Sequence, residues 1–276
     1  MLSSTKSSRG VTLVELLVVL MILSIILTAA VKAWDVTLER GRFESTTRKL
    51  NQLGAVIAGD PDYTVSGQRV DFGYVGDMGE RPHTLQDLVE DPYPGLPDSI
   101  RGWRGPYIRA TFNESPEGYR FDGWSDTIVY DRESLFVRSY AGYGLSDRTR
   151  WITRYIGYDK GELENNVVDG QILDVYGSAV PSELLGRCQV LLHHPRLGQL
   201  RWDYVPVLSG GTFTFADIAQ GIHDLKVIYT HDNPPPVWKD SVLKRVTVHP
   251  GVGARDLRIR INANFVREVA EIEEGS

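Results

Sequence analysis

The chain has 276 residues, 42% of them hydrophobic and 10% aromatic, the make-up of folded protein and not of a disordered chain, and it is long enough for two modest domains and an anchor. A formal net charge of −6, with no basic face interleaved with aromatics, argues against nucleic acid as a partner. The single cysteine, Cys188, excludes an intramolecular disulfide, so stability must come from packed cores.

Residues 11–31 carry a single charge, Glu15, and neither Pro nor Gly. At ~1.5 Å rise per residue, a helix of that length spans a hydrocarbon core. A carboxylate near one end of such a helix is expensive in lipid and is tolerated chiefly where it has a partner, so functional attention falls first on Glu15. A plain signal anchor is the simplest reading. A removable secretory signal, with Lys6 and Arg9 as its basic region and cleavage near Ala29-Ala30 or Val31-Lys32-Ala33, fits poorly. The apolar run exceeds the roughly 7–15 residues of an ordinary signal and contains an acid. Lys6 and Arg9 precede the span while Lys32, Arg40 and Arg42 follow it, so charge alone does not orient it.

Gly10-Val11-Thr12-Leu13-Val14-Glu15-Leu16 resembles the class III signal of type IV pilins and type II secretion pseudopilins. The resemblance implies a leader over residues 1–10, cleavage after Gly10 by a prepilin peptidase, and methylation of Val11, where Phe or Met is commoner. It also implies that Glu15 pairs with the N-terminal amine of a neighbouring subunit. Each charge then has a counter-ion in a low-dielectric core, where an isolated charge is costly. The lack of a disulfide-closed C-terminal loop leans toward the pseudopilin branch.

Past Val31 a helical pattern continues, with Ala33, Val36, Phe43, Leu50, Leu53, Val56 and Ile57 at spacings near three, four and seven. Gly41 is a weak spot and a plausible bend. Gly59-Asp60-Pro61-Asp62 stops the helix near Ala58, giving a rod of roughly 70 Å over 11–58. Its first half suits membrane or fibre core, and its second half presents an apolar stripe for docking to a sheet.

Residues 59–158 read as a small globular head. Thr84 and Asp87 form a capping-box pattern ahead of Leu88-Val89. Gly102-Trp103-Arg104-Gly105-Pro106-Tyr107, then Asp122-Gly123-Trp124, then strand-like 127–130 and 135–140 follow in an order similar to major-pseudopilin-like heads. Trp103, Tyr107, Trp124 and Tyr130 read as core and loop staples, with a ligand-stacking cluster as the sharper alternative. Relatives in type II secretion bind calcium after the last strand of the head. The matching stretch, 139–147, keeps Asp147 as a candidate metal ligand but lacks the acidic density that a hard cation wants; otherwise it is a Gly-rich turn. No other cofactor is expected.

Residues 159–166 are polar and turn-rich and read as a linker. From 167 to 265 the texture is all-β, with apolar or alternating pieces at 171–175, 187–193, 201–207, 211–215, 224–229, 243–249 and 256–261. Seven short strands at this spacing argue for a β-sandwich. Gly211-Thr212-Phe213-Thr214-Phe215 and Gly221-Ile222-His223-Asp224-Leu225-Lys226-Val227 resemble the carboxypeptidase-regulatory-like, transthyretin-related sandwich. Phe213, Phe215, Leu225 and Val227 then point inward at period two. That resemblance carries fold and not function. Residues 266–276, with Glu268, Glu271, Glu273 and Glu274, read as a solvated acidic tail.

Catalysis finds little support. His83, His193, His194, His223, His231 and His249 show no metal-ligand spacing, Cys188 lies in no nucleophile motif, and no phosphate-cradling loop appears. The expected architecture is therefore α+β: a long N-terminal helix with a small antiparallel-sheet pilin head, followed by an all-β sandwich. The expected role is that of a non-enzymatic structural subunit, minor or specialised, of a type II secretion pseudopilus or type IV pilus-like fibre. Its partners would be the prepilin peptidase, other pilin or pseudopilin subunits, an inner-membrane assembly platform and membrane lipid. It would cross the inner membrane once, with its C-terminal domains in the periplasm. The alternative is a membrane-anchored binding or adhesion protein that uses the sandwich and never polymerises.

Overall fold

The computed structural model describes residues 12–108, 115–157, 160–231 and 238–274. Helix α1 runs without interruption over Leu13–Ala58, 46 residues or about 69 Å. Gly41 sits inside it, with open space where a Cβ would lie. Thr46, Leu50, Leu53, Gly54, Ile57 and Ala58 form its buried stripe. These positions recur at helical spacing, as one face docked on a core demands. Gly59 ends the helix at φ 80, where a Cβ would come within 2.4 Å of the Asp71 carbonyl. Neither that backbone angle nor that approach suits another residue.

The apolar stripe read from the sequence begins too early. Val36 and Phe43 are exposed, and the buried face starts only at Thr46. The intervening turns of α1 stand clear of the core although their periodicity is apolar.

The first core forms where this stripe meets α2 (Gly73–Met78) and a three-stranded antiparallel sheet. That sheet has the order β3 (Val129–Asp131), β4 (Phe136–Ser139), β5 (Ile152–Tyr155). A two-stranded hairpin, β1 (Thr64–Val65) and β2 (Gln68–Arg69), lies at the end of α1. Thr84 and Asp87 form the capping box expected of them, on a 3-10 turn at Leu85–Leu88. Leu50, Leu53, Ile57, Tyr74, Met78 and Val137 are at most 1% exposed. Each such aliphatic side chain is worth roughly 1.5–3 kcal/mol relative to exposure.

The second unit has seven strands in two sheets. One sheet has the order β11 (Trp238–Val248), β10 (Gly221–His231), β7 (Cys188–Arg196), β8 (Gln199–Val205). The other has the order β12 (Ala254–Arg260), β6 (Asn166–Leu173), β9 (Thr212–Ile218). Every pair is antiparallel except β6 with β12. Phe213 and Phe215 from one sheet and Leu225, Val227 and Tyr229 from the other enter a single core. The alternation buried–exposed along β10 follows from the period of two.

Two stretches differ from the sequence reading. Residues 160–164, inside the expected linker, form helix α3 (Lys160–Glu164), and its Leu163 is buried in the first core. The stretch 266–276, expected as a solvated tail, is largely taken up by helix α4 (Phe265–Glu274). Phe265 is 1% exposed in the second core, and Val269 and Ile272 pack against it. The cause is an amphipathic spacing, Phe265, Val269 and Ile272, that the count of glutamates hides.

Candidate assembly surface

The N-terminus of α1 is closed by a capping box. Thr12, with extended backbone, accepts the Glu15 N–H on its Oγ1 at 3.2 Å, and the Glu15 carboxylate accepts the Thr12 N–H at 3.4 Å. The four leading N–H groups of a helix have no intrahelical acceptor, and an acid here also faces the positive end of the helix dipole. Further along, Ser24 Oγ donates to the Leu20 carbonyl and Thr28 Oγ1 to that of Ser24, each at 2.8 Å. The hydroxyls of the apolar run are thus satisfied within the helix, as a hydrocarbon surrounding requires.

Every residue from Thr12 to Leu38 is exposed. Within that stretch the helix is long and apolar enough to cross a membrane, with mean hydropathy 2.8 over its most apolar window. An uncovered apolar surface of this extent does not persist in water; it demands lipid or other protein. Gly10 and Val11 lie outside the described residues. Glu15 is placed one turn into the helix, on this same uncovered cylinder.

Residues 5–31 match the prokaryotic N-terminal methylation motif. The motif implies processing by a prepilin peptidase and a pilin-like role with other subunits, and with the apolar helix it fits membrane anchoring of a pilin-like protein. It points to a structural subunit and not to an enzyme. No curated protein matches the chain. A crystal structure from Pseudomonas aeruginosa, of a candidate carbohydrate binding protein at 2.61 Å resolution, is 11% identical to this chain. The match covers 37% of this chain and 90% of that one with a TM-score of 0.23, and carries no weight for fold or function.

Where α1 leaves the apolar stretch, a loop of the first unit is stitched to it. The Trp124 indole donates to Glu39 at 3.0 Å, and the Gly123 N–H donates to Thr46 Oγ1 at 2.8 Å. Asp122 holds the loop from within, accepting the Trp124 and Asp126 N–H groups at 2.9 Å and the Ser139 hydroxyl at 2.5 Å. Lys49 donates to the carbonyls of Gly118 and Phe121, and burial pulls its amine below the usual lysine range.

Asp147 caps the turn Arg148–Arg150, accepting the Thr149 N–H at 3.0 Å and the Thr149 hydroxyl at 2.5 Å. These bonds, the hydroxyl first, hold its carboxyl below the ordinary aspartate value. Among the described residues no group of three or more His, Cys, Asp or Glu is placed to hold a metal ion. The residues beside Asp147 in this loop are arginines, which a cation site would not gather.

The histidines and the cysteine serve packing and local bonding. His193 stacks on Trp202 with ring centroids 4.8 Å apart, and His194 Nε2 bonds Asp203 at 3.0 Å. His223 donates Nε2–H to the Ala219 carbonyl at 2.8 Å, and burial pushes its pKa down to about 4. Cys188 is buried, and burial pushes its thiol up to about 12, so no thiolate forms at neutral pH.

Sequence reasoning missed the joint between the two units. Gln220 Nε2 donates to the carbonyls of Ala58 at 2.7 Å and Phe72 at 3.1 Å. The Arg81 guanidinium pairs with Glu164 at 2.7 Å, and the Met78 carbonyl accepts the Gly198 N–H at 2.8 Å. Gly79 and Gly102 lie in the same joint, where a Cβ would meet the Pro195 carbonyl at 2.2 Å and that of Asp77 at 2.4 Å. No periodicity marks such contacts, since their partners are more than a hundred residues apart in most cases.

Proposed function

We propose that this chain is a minor or specialised subunit of a type II secretion pseudopilus or type IV pilus-like fibre, made with a leader over 1–10, cut after Gly10 and methylated on Val11. It is stored in the inner membrane with both globular units in the periplasm, and an assembly platform draws it into the fibre. Helix packing holds the fibre together: the uncovered apolar cylinder of α1 leaves lipid for the α1 helices of neighbouring subunits. Glu15 sets the register by accepting the freed amine of a neighbour.

The observation that carries this reading is the state of α1. It is an uninterrupted rod, exposed from Thr12 to Leu38 with Glu15 as the single charge up to Val31, and it bears the methylation motif at its start. The cap explains how Glu15 is tolerated before assembly, since the Thr12 N–H and the helix dipole stabilise the anion in part. Pairing with an ammonium group completes that stabilisation in the fibre. The second unit, docked through Gln220 and α3, adds bulk at the far end of the rod. A dense helical fibre accommodates such bulk at few positions, which favours a minor subunit.

Replacing Glu15 by Leu tests the reading. The variant should reach the membrane at the normal level and be absent from sheared fibres. Normal incorporation would remove the role of Glu15.

A further inference from the structure

On the reading that α1 crosses a membrane, we infer that the loop over residues 141–151 is a second membrane contact, which rests in the phospholipid headgroup layer beside the emerging helix. The geometry follows from distance along α1. Val31 ends the apolar run, and Asp35 and Phe43 lie about 6 and 18 Å beyond it along the helix axis. The headgroup layer occupies roughly 5–8 Å on each side of the hydrocarbon core. Trp34, one turn past the run, is exposed at the level where indoles settle in bilayers. The lowest hydrogen bond from the first unit to α1, among the described residues, is that of Trp124 to Glu39. The 141–151 loop lies beside Trp124 and shares with it a groove against α1 whose lower edge, at Asp35 and Val36, is about 6–8 Å past Val31.

The composition of the loop matches that position. Between α1 and the loop lies a mainly apolar groove of about 830 Å³, with Val36 and Phe43 on one wall and Trp124, Tyr143 and Trp151 on the other. At the loop's tip Leu145 is 72% exposed and Tyr143 is 40% exposed. Arg148 stacks on Trp151 at 5.5 Å and Arg150 on Tyr143 at 4.8 Å. Exposed aliphatic and aromatic groups flanked by guanidinium groups are the chemistry of an interfacial contact: the rings and Leu145 enter the acyl boundary and the arginines take phosphate oxygens.

The loop keeps a net positive charge beside neighbouring charges that are already engaged. Glu39 is engaged by Trp124, Arg40 by Glu44 at 2.8 Å, and Asp147 by Thr149 and, at 3.8 Å, by Arg150. Arg148 and Arg150 exceed Asp147 by one positive charge within the loop. A second copy of the chain could also cover the groove, but continuity with the membrane-spanning run and the arginine-flanked tip favour lipid.

The test uses the full chain reconstituted in vesicles of phosphatidylethanolamine and phosphatidylglycerol, with an environment-sensitive fluorophore on Leu145→Cys. Leu20→Cys and Tyr204→Cys serve as references, and the native Cys188 is buried. Headgroup-spin-labelled lipid should quench the label at 145 several-fold more than at 204, and Arg148→Ser with Arg150→Ser should reduce that quenching while circular dichroism stays unchanged. Quenching at 145 no greater than at 204, with the label at 20 quenched by acyl-chain-labelled lipid, would overturn the loop contact and leave the spanning helix standing. No quenching at 20 would overturn the membrane reading itself. A response at 145 that follows protein density and ignores the lipid label would assign the groove to a second copy.

Discussion

Gln220 hydrogen-bonds the Ala58 carbonyl at 2.7 Å, so a side chain of the second unit closes the C-terminal end of the helix that begins at Thr12. The last carbonyls of a helix have no intrahelical donor, and a buried one must find a partner elsewhere. Arg69 supplies a second donor to the same oxygen at 2.6 Å. This bond is one of several that join the rod's unit to the two-sheet unit, and Ala219, the neighbour of Gln220, is buried in the first core.

Replacing Gln220 by Leu leaves the Phe72 carbonyl without this donor and Ala58 with Arg69 alone. Both oxygens keep one other donor, Arg69 at Ala58 and the Gly76 N–H at Phe72, so a loss of about 1–3 kcal/mol in unfolding free energy is expected from the two hydrogen bonds removed. Urea unfolding of a soluble chain lacking the apolar run measures it. An unchanged midpoint would show that the joint is held by other contacts.

Phe265 anchors α4. Phe265→Ala should destabilise the second unit by roughly 3–5 kcal/mol, the range for emptying an aromatic site in a core. The loss should appear in the unfolding of the two-sheet unit, followed through Trp202. If α4 were a solvated tail, the substitution would be neutral.

Acid should weaken the second unit through its buried histidines. Burial pushes the pKa of His223 down to about 4, and burial also lowers that of His194, whose ring lies 6.1 Å away. In the unfolded chain both titrate near their ordinary value, so between those limits the unfolded state binds more protons. Stability from this source is therefore full above about pH 6.5 and is lost as pH falls toward 4, by up to about 3 kcal/mol for His223. Thermal unfolding from neutral to mildly acidic pH should show that decline, and His223→Gln should flatten it. An equally steep decline in the variant would place the effect elsewhere.

Much of the architecture was legible because it is periodic. The long apolar run and the stop at Gly59 fix α1 from local chemistry. Seven strands appear in the expected order because alternation and turn residues mark each one, and Phe213, Phe215, Leu225 and Val227 face inward as period two requires. The misses share a cause. α4 hides three apolar positions among glutamates, α3 is too short to show a period, and β5 carries Thr153 and Arg154 where a strand signal should be. Val36 and Phe43 belong to the apolar pattern but lie below the core, because a stripe in sequence does not tell where its cover begins. Of the candidate site, Glu15 and its spacing from Gly10 were readable, while the Thr12 cap geometry and the arginine-flanked loop needed three dimensions.

Mass spectrometry of the mature N-terminus, on protein purified from membranes that contain a prepilin peptidase, tests the central claim most directly. A chain that begins at Val11 and carries one added methyl group is the predicted result. A chain that retains residues upstream of Val11, or an unmodified Val11 amine, would contradict it.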